Sequence, residues 1–189
     1  MPIGYDKVNF RDVAETSWYG KAVGFIAARG IITGTGSSKY NPDAKLTHGE
    51  LIVMLMKACG IVPDANTMDN FQDAGNTYYT GYLAAVKRLD ISAGRGDNMF
   101  LPKKEITCQE MSTLLYNTLK AVKQLPQGDS GKTLSGFTDA GKIGSWMDEG
   151  SNDAAGQNRN HRRQRRKTHT AQHDHQGEMA QVLYHLLSK

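Results

Sequence analysis

Several resources are scarce in this chain of 189 residues, and each shortage removes a class of function. No apolar stretch approaches 18 residues, so nothing is expected to span a membrane. The opening residues Met1 to Asp6 lack a basic segment followed by an apolar one, so no export signal is expected in this stretch. The two cysteines, Cys59 and Cys108, form no CxxC or CxxH set, which argues against a disulfide framework or a zinc site. No Ser-His-Asp or Cys-His set has a spacing to defend, and the carboxylates are scattered rather than paired as glycoside hydrolysis requires. Gly34-Thr35-Gly36 lacks the third glycine and the βαβ setting of a nucleotide loop. The reading is therefore of a protein that is not an enzyme and needs no metal or cofactor.

Net positive charge is also scarcer than it looks. The formal charge is +4, but Arg159, Arg162, Arg163, Arg165, Arg166 and Lys167 supply six positive charges within nine residues, and removing those six turns +4 into −2. His161, His169, His173 and His175, four of the six histidines, lie in the same stretch.

What is present is repetition. An aromatic residue precedes a glutamate by 32 positions three times: Trp18 to Glu50, Tyr78 to Glu110 and Trp146 to Glu178. Each span follows a Phe-x-Asp turn, at Phe10 to Asp12, Phe71 to Asp73 and Phe137 to Asp139. A period of about 60 residues with fixed landmarks means three copies of a unit too small to bury a core alone, so function belongs to the grooves between copies. The expected copies span 7–62, 68–123 and 134–189.

Within copy 1 the apolar period predicts a helix from about Trp18 to Arg29, built on Tyr19, Ala22, Val23, Ile26 and Ala27, with Gly30 as a C-terminal stop. A glycine loop and the turn Tyr40 to Asp43 follow. Thr47 with Glu50, and Thr107 with Glu110, have the spacing of a capping box, whereas His175 stands at the third N-cap and is expected to cap poorly. Behind the caps run apolar stripes: Leu51, Met54, Leu55, Ala58; Met111, Leu114, Leu115, Leu119; and Met179, Val182, Leu183, Leu186, Leu187. Three such helices predict a central bundle in an all-α protein of three tandem helix-loop-helix repeats.

These residues together resemble the S-layer homology module. Phe10 to Val13, Trp18 to Val23, Gly30 to Gly34, Tyr40 to Pro42 and Thr47 to Glu50 follow its pattern, as do Phe71 to Ala74, Tyr78-Tyr79, Ile91, Gly94, Phe100 to Pro102 and Thr107 to Glu110. The resemblance implies a pseudo-threefold helical spindle that binds secondary cell wall polymer attached to peptidoglycan and tethers an S-layer protein or exocellular enzyme to the bacterial surface. It implies a cell-wall, extracellular location. Alternatives are a fragment of a surface polysaccharide hydrolase whose enzyme domain lies elsewhere, and polyanion or RNA binding through residues 159–167.

The implied ligand is an anionic glycan, often pyruvylated. The resemblance assigns its carboxylate to the arginine of Thr-Arg-Ala-Glu, because a guanidinium grips a carboxylate with two parallel hydrogen bonds. That position is His48 in copy 1, Cys108 in copy 2 and Gln176 in copy 3, so no copy keeps the arginine. Protonated, His48 would pair with a carboxylate; Cys108 offers an anion little. Trp18, Tyr19, Tyr78, Tyr79 and Trp146 either wall a sugar or anchor helices in the core. Gly34 and Gly94 serve backbone conformation or bring amides close to a glycan. Asp12, Asp73 and Asp139 are expected to brace turns.

Copy 3 keeps its length but not its middle. Residues 150–177 hold no apolar side chain larger than alanine and are expected to be non-native or disordered. Codons exist for Ser151 to Thr168 that, read in a neighbouring frame, give an amphipathic helix, a glycine turn and a glycine loop in the family's order. A compensated frameshift between Trp146 and Glu178 is the expectation. At face value the segment is a solvated loop, a polyanion-binding run, or, through His169, His173 and His175, a metal site.

Overall fold

A computed structural model describes residues 9–125 and 175–188. Five α-helices form it: α1 (Gly20–Ala28), α2 (His48–Ala58), α3 (Thr80–Arg88), α4 (Cys108–Ala121) and α5 (Gln176–Leu187), with a single 3-10 turn at Gly96–Asn98. Among the described residues there is no strand, only isolated bridges between loops. The all-α expectation holds.

The capping boxes form as the sequence spacing requires. The Glu50 amide donates to Thr47 Oγ1 at 3.3 Å while Glu50 Oε2 accepts from the Thr47 amide at 2.9 Å. Thr107 and Glu110 repeat both distances. Each box satisfies a first-turn N–H that the helix itself leaves without a partner. At α5, Glu178 accepts from the His175 amide at 3.2 Å, but His175 contributes no side-chain cap bond. Helix α1 starts at Gly20, two residues later than the apolar period suggests, because Tyr19 is its N-cap and Ser17 to Gly20 close a turn ahead of it. It stops as expected: Gly30 takes φ +68° and the amides of Gly30 and Ile31 return to Ala27 and Ile26.

The three apolar stripes meet in one core. Leu51, Leu55, Leu115, Leu119, Met179 and Leu183 are essentially inaccessible to solvent. Helix α2 is buried from Leu51 through Met56 on every side, as a helix must be when neighbours surround it. It packs against α3, α4 and α5.

The packed pairs are not the two helices of a single copy. The first helix of copy 2, α3, lies on the second helix of copy 1, α2; the first helix of copy 1, α1, lies on α5, the helix expected to close a third copy. Phe25 of α1 meets Tyr184 of α5 edge to face at 5.0 Å. Two prongs of the expected spindle are thus present, each shared between copies.

The Phe-x-Asp turns act at long range. Asp12 accepts from the Tyr40 and Asn41 amides at 2.9 and 2.7 Å, and Asp73 from the Phe100 and Leu101 amides at 2.8 and 2.7 Å. Each aspartate thereby pins the aromatic-x-Pro turn of its own copy, whose middle residue is left-handed: Asn41 at φ +57° and Leu101 at +61°.

One boundary needs correction. The irregular stretch expected to reach residue 177 ends sooner, since Gln176 and Gly177 are the first residues of α5. Their amides donate to the carbonyls of Ala44 and Pro42 at 3.0 and 2.8 Å, which extends the helix backward. Trp146, Phe137 to Asp139, the basic run 159–167, His161, His169, His173 and the shifted-frame segment through residue 174 lie outside the described residues.

Candidate functional site

Two junctions between copies are built alike. At the first, the amides of His48 and Gly49, the first two of α2, donate to the Lys104 and Pro102 carbonyls at 3.0 and 2.9 Å. At the second, Gln176 and Gly177 of α5 make the same two bonds to Ala44 and Pro42. Helix amides that would otherwise want water are spent on the neighbouring copy's loop. A tyrosine ring seals each contact. A Cβ on Gly49 would stand 2.9 Å from Tyr79, and one on Gly177 would stand 3.2 Å from Tyr19.

All three residues at the motif arginine's position are buried: His48, Cys108 and Gln176. His48 has the fullest set of partners. Its Nδ1 lies 3.0 Å from the Lys104 carbonyl, which can only accept, so this nitrogen carries a proton and donates. Its Nε2 faces Glu110 Oε2 at 3.5 Å, and its ring meets Phe100 edge to face at 6.0 Å. The imidazole thus points into the protein's own carboxylate. Tyr40 ties down Gln176 at the other junction, its hydroxyl donating to the Gln176 carbonyl at 2.7 Å.

Glu110 is the electrostatic centre of the first junction. Its Oε2 takes the Thr107 amide and hydroxyl, both at 2.9 Å. Its Oε1 takes Arg95 Nη2 at 2.7 Å and Lys104 Nζ at 3.2 Å. Burial works against its ionisation, but hydrogen bonding from His48 and Thr107 outweighs that and holds the carboxyl well below the usual range. Arg95 and Lys104 carry no motif signature. The one sequence signal was Lys103-Lys104 directly after Phe100-Leu101-Pro102, with an arginine in the preceding glycine loop.

The aromatic pairs divide their work. Trp18 and Tyr78 are exposed, while Tyr79 is buried and Tyr19 partly so. Within each pair the rings meet edge to face, Trp18 with Tyr19 at 5.2 Å and Tyr78 with Tyr79 at 5.1 Å. One ring of each pair anchors the junction and the other stands at its rim. Partial burial and then the nearby charge of Glu50 push the Tyr78 phenol up. Gly34 and Gly94 face inward: at φ +80° and +76°, a Cβ on either would stand 2.6 Å from a backbone carbonyl, that of Lys39 or Met99, and collide with Phe10 or Phe71.

Residues 9–52 and 70–112 match the model of the S-layer homology domain. These two segments belong to the S-layer homology family. The chain is similar to S-layer protein EA1 of Bacillus anthracis, with 23% identity over 151 residues, 80% of this chain and 17% of that protein. It is also similar to exoglucanase XynX of Acetivibrio thermocellus, with 26% identity over 140 residues, 74% of this chain and 12% of that protein. Amylopullulanase of Thermoanaerobacterium thermosulfurigenes matches with 26% identity over 143 residues, 75% of this chain and 7% of that protein. The chain spans less than a fifth of the length of these relatives. Among the described residues, no helix is long and apolar enough to cross a membrane.

Proposed function

We propose that this S-layer homology protein is a non-catalytic anchor that holds noncovalently to secondary cell wall polymer on peptidoglycan, at the outer surface of a bacterial cell. One observation carries the reading. Proteins named as an S-layer protein, an exoglucanase and an amylopullulanase share with this chain a segment that is most of it and little of them. What such different proteins have in common is not a catalytic activity. The junction geometry supports a glycan: Trp18 and Tyr78 offer exposed ring faces for a sugar, and cationic side chains stand at the first junction. A pyruvylated glycan, with a carboxylate on its ring, matches that pairing of aromatic and cation.

Sedimentation with purified sacculi tests this. The protein is expected to pellet with sacculi that retain their polymer and to remain in solution with acid-stripped sacculi. Equal pelleting with both, or with neither, would refute it.

A further inference from the structure

We propose that the junction of α2 with copy 2 is the one that grips the ligand's carboxylate, and that Arg95 and Lys104 are its cations in place of the missing motif arginines. The inference rests on the anchor reading above and names the residues that make it work.

The case comes from comparing the two described junctions position by position. His48, Arg95, Phe100, Lys104 and Glu110 at the first correspond to Gln176, Thr35, Tyr40, Ala44 and Glu50 at the second. Both glutamates do the same capping work, each taking an amide and a hydroxyl at 2.9 Å. Among the described residues, no cation pairs with Glu50, whereas Arg95 and Lys104 both pair with Glu110. The cap therefore does not require them, and their charge exceeds what the fold needs at this position.

Their placement suits an incoming anion. Arg95 and Lys104 side chains are 59% and 42% exposed, against 12% for Glu110, so the carboxylate lies at the floor and the cations at the rim. Because both bond the same oxygen, the two heads lie within reach of one further anionic group. Each spends a single donor on Glu110, leaving a guanidinium most of its five N–H groups and an ammonium two of its three. Glu110 thereby holds two flexible side chains in position before the ligand arrives, which lowers the ordering cost of binding. Glu105, the neighbouring acid on the same loop, is turned to Lys45 at 2.8 Å.

The test is calorimetric titration of the full chain with purified wall polymer, and with the same polymer after acid removal of its pyruvyl groups. Arg95→Gln combined with Lys104→Gln is expected to weaken binding to intact polymer at least tenfold and to leave binding to the depleted polymer unchanged. Arg95→Gln alone, at the more exposed side chain, is expected to weaken it several-fold with an unchanged thermal melt. Lys120→Ala, an exposed cation at the far end of α4, is expected to change nothing. A folded double variant that binds intact polymer as tightly as the parent overturns the assignment and leaves the anchor standing. A parent protein that binds neither polymer overturns the anchor reading itself, and this inference with it.

Discussion

Replacing Asp73 with alanine tests whether the Phe-x-Asp turn works as a long-range clamp. Its two carboxylate oxygens accept from the Phe100 and Leu101 amides at 2.8 and 2.7 Å, joining residues 27 and 28 positions apart. Phe100 is buried against Phe71 with ring centroids 5.0 Å apart, so the clamp also fixes part of the core. Hydrogen bonds to a charged acceptor contribute roughly 1.5 to 3 kcal/mol each, and water can replace part of the bond at half-exposed Leu101, so the loss is about 3 kcal/mol. That is a large fraction of the stability of a typical domain, and at this chain length it lowers Tm by about 6 to 12 °C. Thermal and urea unfolding followed by circular dichroism at 222 nm measures it. Asp73→Asn keeps one acceptor but presents a donor to the second amide, and is expected to fall between the parent and the alanine variant. A loss for Asp73→Ala within about 0.5 kcal/mol, the range of an ordinary surface change, would refute the clamp.

Two further outcomes are expected. The Glu110 carboxyl is held below its ordinary value of about 4.5, so its stabilisation is present above that pH and drains away as acid carries the pH down toward the folded-state value; urea midpoints from pH 7 to 3 should fall less steeply in Glu110→Gln, and parallel profiles would contradict this. Leu101 holds a left-handed conformation at φ +61°, where copy 1 uses Asn41; Leu101→Asn is expected to gain about 1 kcal/mol in urea unfolding, and a loss would show that Leu101 packing outweighs the backbone strain.

What was legible in the sequence was what local chemistry encodes. Thr47 with Glu50 and Thr107 with Glu110 carry their caps in their own spacing, and the stripes behind them carry the core. The turn role of Asp12 and Asp73 was readable because an aspartate near a turn has few other uses. The junctions were harder, for a physical reason. They are sealed by carbonyls of Pro42, Ala44, Pro102 and Lys104, and a backbone carbonyl leaves no trace in residue identity. The meeting of Arg95 with Glu110 across a loop was hidden likewise, since each residue alone reads as solvated charge. His48 illustrates the limit best. Its position matched the ligand-gripping arginine, yet it is buried with both ring nitrogens facing the protein's own acceptors.

The stagger between sequence repeat and packed pair explains why binding chemistry would gather at a junction rather than within a copy. Helix α2 begins on the loop of copy 2, at residues 102–106, and α5 begins on the loop of copy 1, at residues 42–45. Any groove at such a helix start draws one wall from each copy. Substitution can then change one wall while the other keeps its caps and turns. In the first junction copy 2 supplies Arg95, Lys104 and Glu110 while copy 1 brings His48 against Glu110, and the second junction has Thr35 and Ala44, both uncharged, where the first has Arg95 and Lys104. Equal backbones with unequal walls give one repeated fold two junctions of different charge.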